Sequence, residues 1–283
     1  MSNSILDLGV INQPLLIFGG PYSNLAATQA LLAKAQELNI APDHIICTGD
    51  VVAYCAEAEQ TTKLVIASDI HVVKGNCEES LAQQSADCGC GFEPGMTCSA
   101  LSEKWYRYAN TQISEPSRNW MGSLPSAIIF KMGQFRCRVI HGGVEQINRF
   151  IFGSTDLATK HKELTMAKTD IIIGGHCGLP FGQSIETQGW LNAGVIGLPA
   201  NDGTSSVWYM LLTPAYGGFT ASWHRLQYEY STTYQSMIEN KLDEYAETLI
   251  TGNWPSMDIL PRIEQSQQGL NLDIQPLTFG TSK

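Results

Sequence analysis

Apolar residues in the first two-thirds of the chain fall into short β-branched runs, not into one continuous helical stripe. Four of these runs are Ile45-Ile46-Cys47-Thr48, Val72-Val73-Lys74, Val139-Ile140 and Ile171-Ile172-Ile173, each followed by a glycine turn. Short apolar runs closed by glycine read as buried strands. Residues 25–38 lie between such runs and are rich in helix formers, with Asn24 placed to cap them. Strand and helix patterns alternate in this way through the first half, which predicts an α/β architecture. Residues 127–130 read as a further strand, and residues 205–213 and 218–226 as a hairpin-like pair. From Ser231 the apolar positions Tyr234, Met237, Leu242, Tyr245, Leu249 and Ile250 form an irregular helical face. Residues 265–283 are polar and interrupted, and are expected to form a surface tail.

The four glycine turns share a second property. Each carries one side chain able to ligate a metal: Asp50 after Gly49, Asn76 after Gly75, His141 before Gly142-Gly143, and His176 after Gly174-Gly175. In α/β folds, ligands bind in the crevice beyond the carboxyl ends of the strands. A carboxylate, an amide oxygen and two imidazoles meeting there suit a hard-to-borderline divalent ion.

In order and spacing, Thr48-Gly49-Asp50-Val51-Val52, Lys74-Gly75-Asn76, His141-Gly142, Gly175-His176 and Asn192-Ala193-Gly194-Val195-Ile196-Gly197-Leu198-Pro199 resemble the motifs of the calcineurin-like metallophosphoesterase family. The resemblance spans about residues 14–225 and implies a four-layer αββα sandwich of two mixed β-sheets flanked by helices. It also implies metal-dependent hydrolysis of a phosphate ester, with a small phosphorylated molecule as partner.

The departures are concentrated in one place. Where the family has D-x-H, G-N-H and the second histidine of G-H-x-H, this chain has Gly20, Tyr22, Cys77 and Gly178. One of the family's two metal sites loses its ligands. The other keeps Asp50, Asn76, His141 and His176, so the resemblance implies a single divalent ion (Mn, Fe or Zn). Ser68-Asp69-Ile70-His71 spells the missing D-x-H, but it precedes its strand. At about 3.3 Å per residue His71 falls roughly 16 Å from Asn76.

Further site residues follow from the same frame, each with a plainer alternative. Cys77 stands in for the family's catalytic histidine, and Glu78 beside it is either a proton donor or an acid favoured by a helix N-terminus. Tyr22 either hydrogen-bonds phosphate or fills the volume of the lost histidine. Asn24 occupies a substrate slot or caps the first helix. Arg149 is the candidate phosphate-binding cation, with a surface ion pair as its alternative.

Eight cysteines in a chain with no export-type leader read as thiols or metal ligands. Cys47 and Cys137 lie in strand-like runs and are expected in the core, and Cys177 as a small buried residue. Residues 87–98 form a glycine- and proline-rich loop bearing Cys88, Cys90 and Cys98, able to fold over the site as a lid. With Cys55 or Cys77 these could hold a second metal; Cys88 and Cys98 could form a redox pair; or the thiols could simply pack the loop. A net charge of −10 argues against non-specific nucleic-acid binding. No apolar run approaches the ~20 residues that span a bilayer, so a cytoplasmic, non-membrane protein is expected. The organisation expected is a phosphoesterase-like domain over 1–229, a cysteine-rich insertion at 85–122 and a helical extension with tail over 230–283. The class that competes with an enzyme is a non-catalytic phosphate-ligand binder or redox or metal sensor on the same fold.

Overall fold

The computed structural model describes residues 4–93 and 95–280. Its strands, in chain order, are β1 (Ile5–Val10), β2 (Leu15–Phe18), β3 (Ile45–Cys47), β4 (His71–Val72), β5 (Ala127–Met132), β6 (Phe135–Val139), β7 (Ile171–Gly174), β8 (Phe181–Ile185), β9 (Gln188–Asn192), β10 (Val207–Ala215), β11 (Gly218–Leu226) and β12 (Leu277–Phe279). They form two six-stranded sheets, in the orders β1-β5-β6-β7-β9-β8 and β12-β11-β10-β2-β3-β4. Both sheets are mixed: β6, β7 and β9 run parallel in the first, and β2, β3 and β4 in the second, with antiparallel strands beside them.

Side chains alternate across each strand, which places the layers. Leu15 and Ile17 of β2, Ile46 of β3, and Ile171 and Ile173 of β7 enter the core between the sheets. Leu16, Phe18, Ile45 and Cys47 point the other way, into a helical layer. Ile172 faces the opposite outer layer, with Leu164 and Trp190. Runs buried on both faces carry no polar alternation, which is why they read as solid apolar blocks in the sequence.

The outer layers hold α1 (Leu25–Glu37), α2 (Ala58–Ala67), α3 (Asn76–Gln83), α4 (Thr97–Gln112), α5 (Glu115–Ser123), α6 (Leu157–Ala167), α7 (Ser231–Glu239), α8 (Asp243–Thr251) and α9 (Arg262–Gln265). None of the helices among the described residues is long and apolar enough to cross a membrane. Asn24 caps α1, its Oδ1 accepting from the Ala27 N–H at 3.0 Å, while its Nδ2 donates to the Gly197 carbonyl and the Tyr228 hydroxyl. These bonds occupy its side chain and take it out of the phosphate-binding set. The insertion contributes α4 and α5, and Trp105 and Tyr106 of α4 are buried in the main core. The stretch expected to be a surface tail instead supplies β12, which pairs with β11 and buries Phe279 against Phe135 and Phe219. Three residues of strand inside a polar stretch are too few for a period-2 pattern to show.

Candidate metal centre

The site forms where parallel strands of both sheets end at the same edge. β3 delivers Asp50, the chain beyond β4 delivers Asn76 at the start of α3, β6 delivers His141 and β7 delivers His176. Gly49 makes the first of these turns possible. Its φ is +98°, and a Cβ there would lie 2.8 Å from the Gly75 amide and 2.9 Å from the His141 ring. Asp50 and His176 adopt left-handed backbone conformations themselves, at φ 57° and 59°. Non-glycine residues hold such angles only where surrounding contacts enforce them.

Those contacts are present. Glu78 Oε2 accepts from the Asp50 and Gly75 N–H groups, and Oε1 from the Val51 N–H, each at 2.8 Å. The Gly175 N–H donates to the His141 carbonyl at 2.6 Å, and Asn192 Nδ2 donates to the Gly175 carbonyl at 3.0 Å. The asparagine of the N-A-G turn thereby braces the loop that carries His176.

His141 Nε2 is the centre of the arrangement. It lies 3.2 Å from Asp50 Oδ2, 2.9 Å from Asn76 Oδ1 and 3.1 Å from His176 Nδ1. The ligand atoms of Asp50, His141 and His176 all lie within 4.8 Å of one another, and all three residues are buried. The donor set has a defined proton arrangement. His141 Nδ1–H donates to the Thr48 carbonyl at 2.7 Å, which leaves Nε2 as the atom that takes a proton or an ion. Asn76 Nδ2 donates to the Cys88 carbonyl at 2.9 Å, which turns Oδ1 inward. Burial and the neighbouring His141 push His176 down to about 3, keeping its ring neutral. Burial works against a charged His141, but the Asp50 carboxylate and its hydrogen bonds prevail and raise its pKa. Burial likewise opposes ionisation of Asp50, yet the two imidazoles hold its carboxyl below the usual range. Four ligand atoms thus converge on one small buried volume, an arrangement that a single cation satisfies. The residues present fit a divalent ion.

Aromatic side chains surround the positions where the family pattern has its other ligands. The Tyr22 ring covers Gly20, where a Cβ would lie 2.5 Å from it. A Cβ on Gly178 (φ +74°) would meet the Trp254 indole at 3.3 Å and Tyr22 Oη at 3.7 Å. Tyr22 packs edge-on to Tyr54 at 4.7 Å, and Tyr54 against Tyr245 at 4.5 Å. An aromatic cluster reaching into the C-terminal extension thus packs around Gly20, Tyr22 and Gly178. Gly178→His is therefore expected to add no second ion and to destabilise the fold, because its ring has neither space nor a favourable φ. Elemental analysis and thermal unfolding of that variant check both outcomes.

Several residues expected at the site take other roles. Glu78 is a positioning residue: burial and the Asp50 charge push its carboxyl up to about 7, but main-chain donors hold both oxygens. Cys77 is buried beside Asp50, and burial together with that carboxylate drives its thiol pKa well up, so it stays a neutral thiol where the family has a histidine. Its N–H donates to Asp50 Oδ1 at 3.3 Å. Arg149 donates from one guanidinium nitrogen to the buried Glu163 at 2.8 Å, the ion pair given as its alternative role.

The four-thiol site is not assembled. Cys88 and Cys90 form a disulfide across Gly89, Cys55 Sγ points to the Gly197 carbonyl, and Cys98 lies by Ser256 and Asp258. Among the described residues, Asp50, His141 and His176 make up the sole metal-type group of three. The expected pairing of Cys88 with Cys98 is replaced by the bond to Cys90. The lid does cover the site, since Asn76 Nδ2 reaches the Cys88 carbonyl and lies 3.5 Å from both Cys90 Sγ and Cys77 Sγ. Cys47, Cys137 and Cys177 are buried, and the Cys177 thiol donates to the Leu179 carbonyl, away from the ligands.

The two-sheet sandwich, with a carboxylate, an amide and two imidazoles at converging strand ends, defines a phosphoesterase-type metal centre. The chain belongs to the calcineurin-like phosphoesterase superfamily, whose domain model matches residues 22–214. The match begins at Tyr22, just after the position of the absent aspartate. Among solved structures, a metallophosphoesterase from Sphaerobacter thermophilus is 19% identical with a TM-score of 0.66, covering 86% of this chain and 100% of its own. A hypothetical protein from Pyrococcus horikoshii OT3 is 14% identical with a TM-score of 0.70, covering 85% and 99%. At these identities the likeness is one of fold. No curated protein matches the sequence.

Proposed function

We propose that the chain is a phosphoesterase working with one divalent ion held by Asp50, Asn76, His141 and His176. The observation that carries this reading is the convergence of four ligand atoms on one buried point beside His141 Nε2. An ion bound there supplies Lewis-acid polarisation of a phosphoryl oxygen and acidifies water. The protein's own groups do the rest. The Thr48 carbonyl fixes the His141 tautomer, the Cys88 carbonyl orients Asn76, and Glu78 holds the strained Asp50 turn. Burial, and then the Asp50 charge, drive the Tyr22 phenol well above its ordinary pKa. It therefore stays protonated and offers a hydrogen-bond donor, not a charge, where the family's second metal would stand. Loss of that site's ligands predicts weaker charge stabilisation, so slow turnover is expected, on a small phosphorylated substrate.

The test is hydrolysis of a phosphomonoester and phosphodiester panel by protein loaded in turn with Mn²⁺, Fe²⁺ and Zn²⁺, with His141→Ala as the blank. Turnover that needs an ion and vanishes in the variant supports the proposal. Ion binding with no turnover on any ester would leave the chain a ligand-binding or sensor protein.

The proton and the ion compete for His141 Nε2. Because the His141 pKa is raised, metal affinity is expected to fall about tenfold per pH unit below that pKa, with the loss beginning above the ordinary imidazole range. Metal titration by calorimetry across a pH series checks this; a flat profile would place the ion elsewhere.

A further inference from the structure

A cleft leads to His176, and most of its walls come from segments outside the metal-ligand motifs. Phe92 is supplied by the cysteine-bearing insertion, Phe150 by the loop after His141, and Tyr245, Trp254 and Ile259 by the C-terminal extension. The cleft has a cavity volume of about 50 Å³, and about 550 Å³ of atom-free space when the open solvent at its mouth is counted. Its aromatic wall runs up to a metal ligand: the Phe150 ring lies 4.1 Å from the His176 ring and 6.1 Å from that of Phe92. Trp254 is locked in orientation, its Nε1–H donating to the Pro199 carbonyl and its main-chain N–H to Asn201 Oδ1, both at 2.7 Å. Its indole edge enters the space left by a side chain at Gly178.

Among the described residues, the lining includes no Lys, Arg, Asp or Glu. A polyphosphate or a hydroxyl-rich group entering the cleft would shed water without finding charged partners. A flat apolar group would exchange water for aromatic faces and edges. We propose that this cleft binds the face or edge of a single uncharged aromatic ring, attached to the phosphate and seated at its mouth beside the metal centre. The phosphate end of this ligand rests on the function proposed above; the aromatic end stands on the cleft alone. The same aromatic cluster that packs around Tyr22 and Gly178 thereby supplies binding energy for the substrate's non-reacting part.

The test compares phenylphosphonate with methylphosphonate, which share a non-hydrolysable head group, by calorimetry on the metal-loaded full chain. Hydrolysis of phenyl phosphate and methyl phosphate is measured alongside. Phenylphosphonate is expected to bind at least about tenfold more tightly, the scale of one well-formed aromatic contact with its buried area. That advantage is expected to shrink about tenfold in Trp254→Ala and, with less risk to the fold, in Phe92→Leu, while methylphosphonate affinity is unchanged. Equal binding of the two phosphonates, binding of neither, or an advantage that both variants retain would overturn the cleft assignment. An aromatic advantage with no hydrolysis of either ester would uphold the cleft and overturn the esterase reading. Hydrolysis of both esters with equal phosphonate binding would do the reverse.

Discussion

Alanine at position 141 is expected to abolish metal binding, taking the protein from about one ion per chain to none in elemental analysis. His141 Nε2 is the atom around which the other three donors gather, within 2.9–3.2 Å. Changes to residues that merely orient a ligand cost roughly 10–100-fold in affinity, and removal of the central ligand exceeds that range. Asp50→Ala is expected to behave the same way. The effect also has a thermal signature. Ligand at a thousand times its dissociation constant stabilises a fold by about 4 kcal/mol, so a chelator should lower the melting temperature of the natural chain and leave His141→Ala unmoved. Ion content that survives in both variants would place the metal outside this cluster.

Glu78→Ala is expected to have the largest effect on stability. Its carboxylate is fully buried and accepts three main-chain N–H bonds, from Asp50, Val51 and Gly75. A buried donor left without a partner costs about 1–3 kcal/mol, and three together remove a large part of the roughly 5–15 kcal/mol that holds a typical domain. Glu78→Gln is not a neutral replacement, because its amide NH₂ must face an N–H donor. Urea unfolding is expected to show a much lower midpoint for alanine and an intermediate one for glutamine. Glu79→Gln, on the same turn but only half-buried, is expected to stay near the natural value. Metal affinity should fall with stability in both Glu78 variants, because the left-handed turn at Asp50 depends on this carboxylate. A midpoint unchanged in Glu78→Ala would refute the positioning role.

The ligand set is readable in the sequence because each member sits at a local landmark. Asp50, Asn76, His141 and His176 adjoin glycine turns at the ends of β-branched runs, and a strand end plus a turn is encoded within a few consecutive residues. Glu78 is visible there only as one of two acids at a helix start. Its role needs the turn at Asp50, 28 residues earlier, to come within hydrogen-bonding reach. Arg149 looks available until α6 brings Glu163 beside it. The three loop cysteines, with Cys55, look like a ligand set because spacing along a chain does not say where each sulfur points; Cys88 and Cys90 are bonded to each other, and Cys55 and Cys98 face unrelated carbonyl or polar groups.

The amino-acid order by itself determined the strands that carry the site, the side chains at their ends, and from these the fold and the candidate ligand set. Backbone turns and apolar runs are short-range properties, so their signal is complete within each segment. Only the tertiary structure decided what packs around Tyr22 and Gly178. Trp254 meets Gly178, and Tyr245 meets Tyr54 beside Tyr22, across separations that no local pattern records. Packing of that kind depends on the shape of the space left between distant segments, and that space exists only once the sheets and the C-terminal extension have come together.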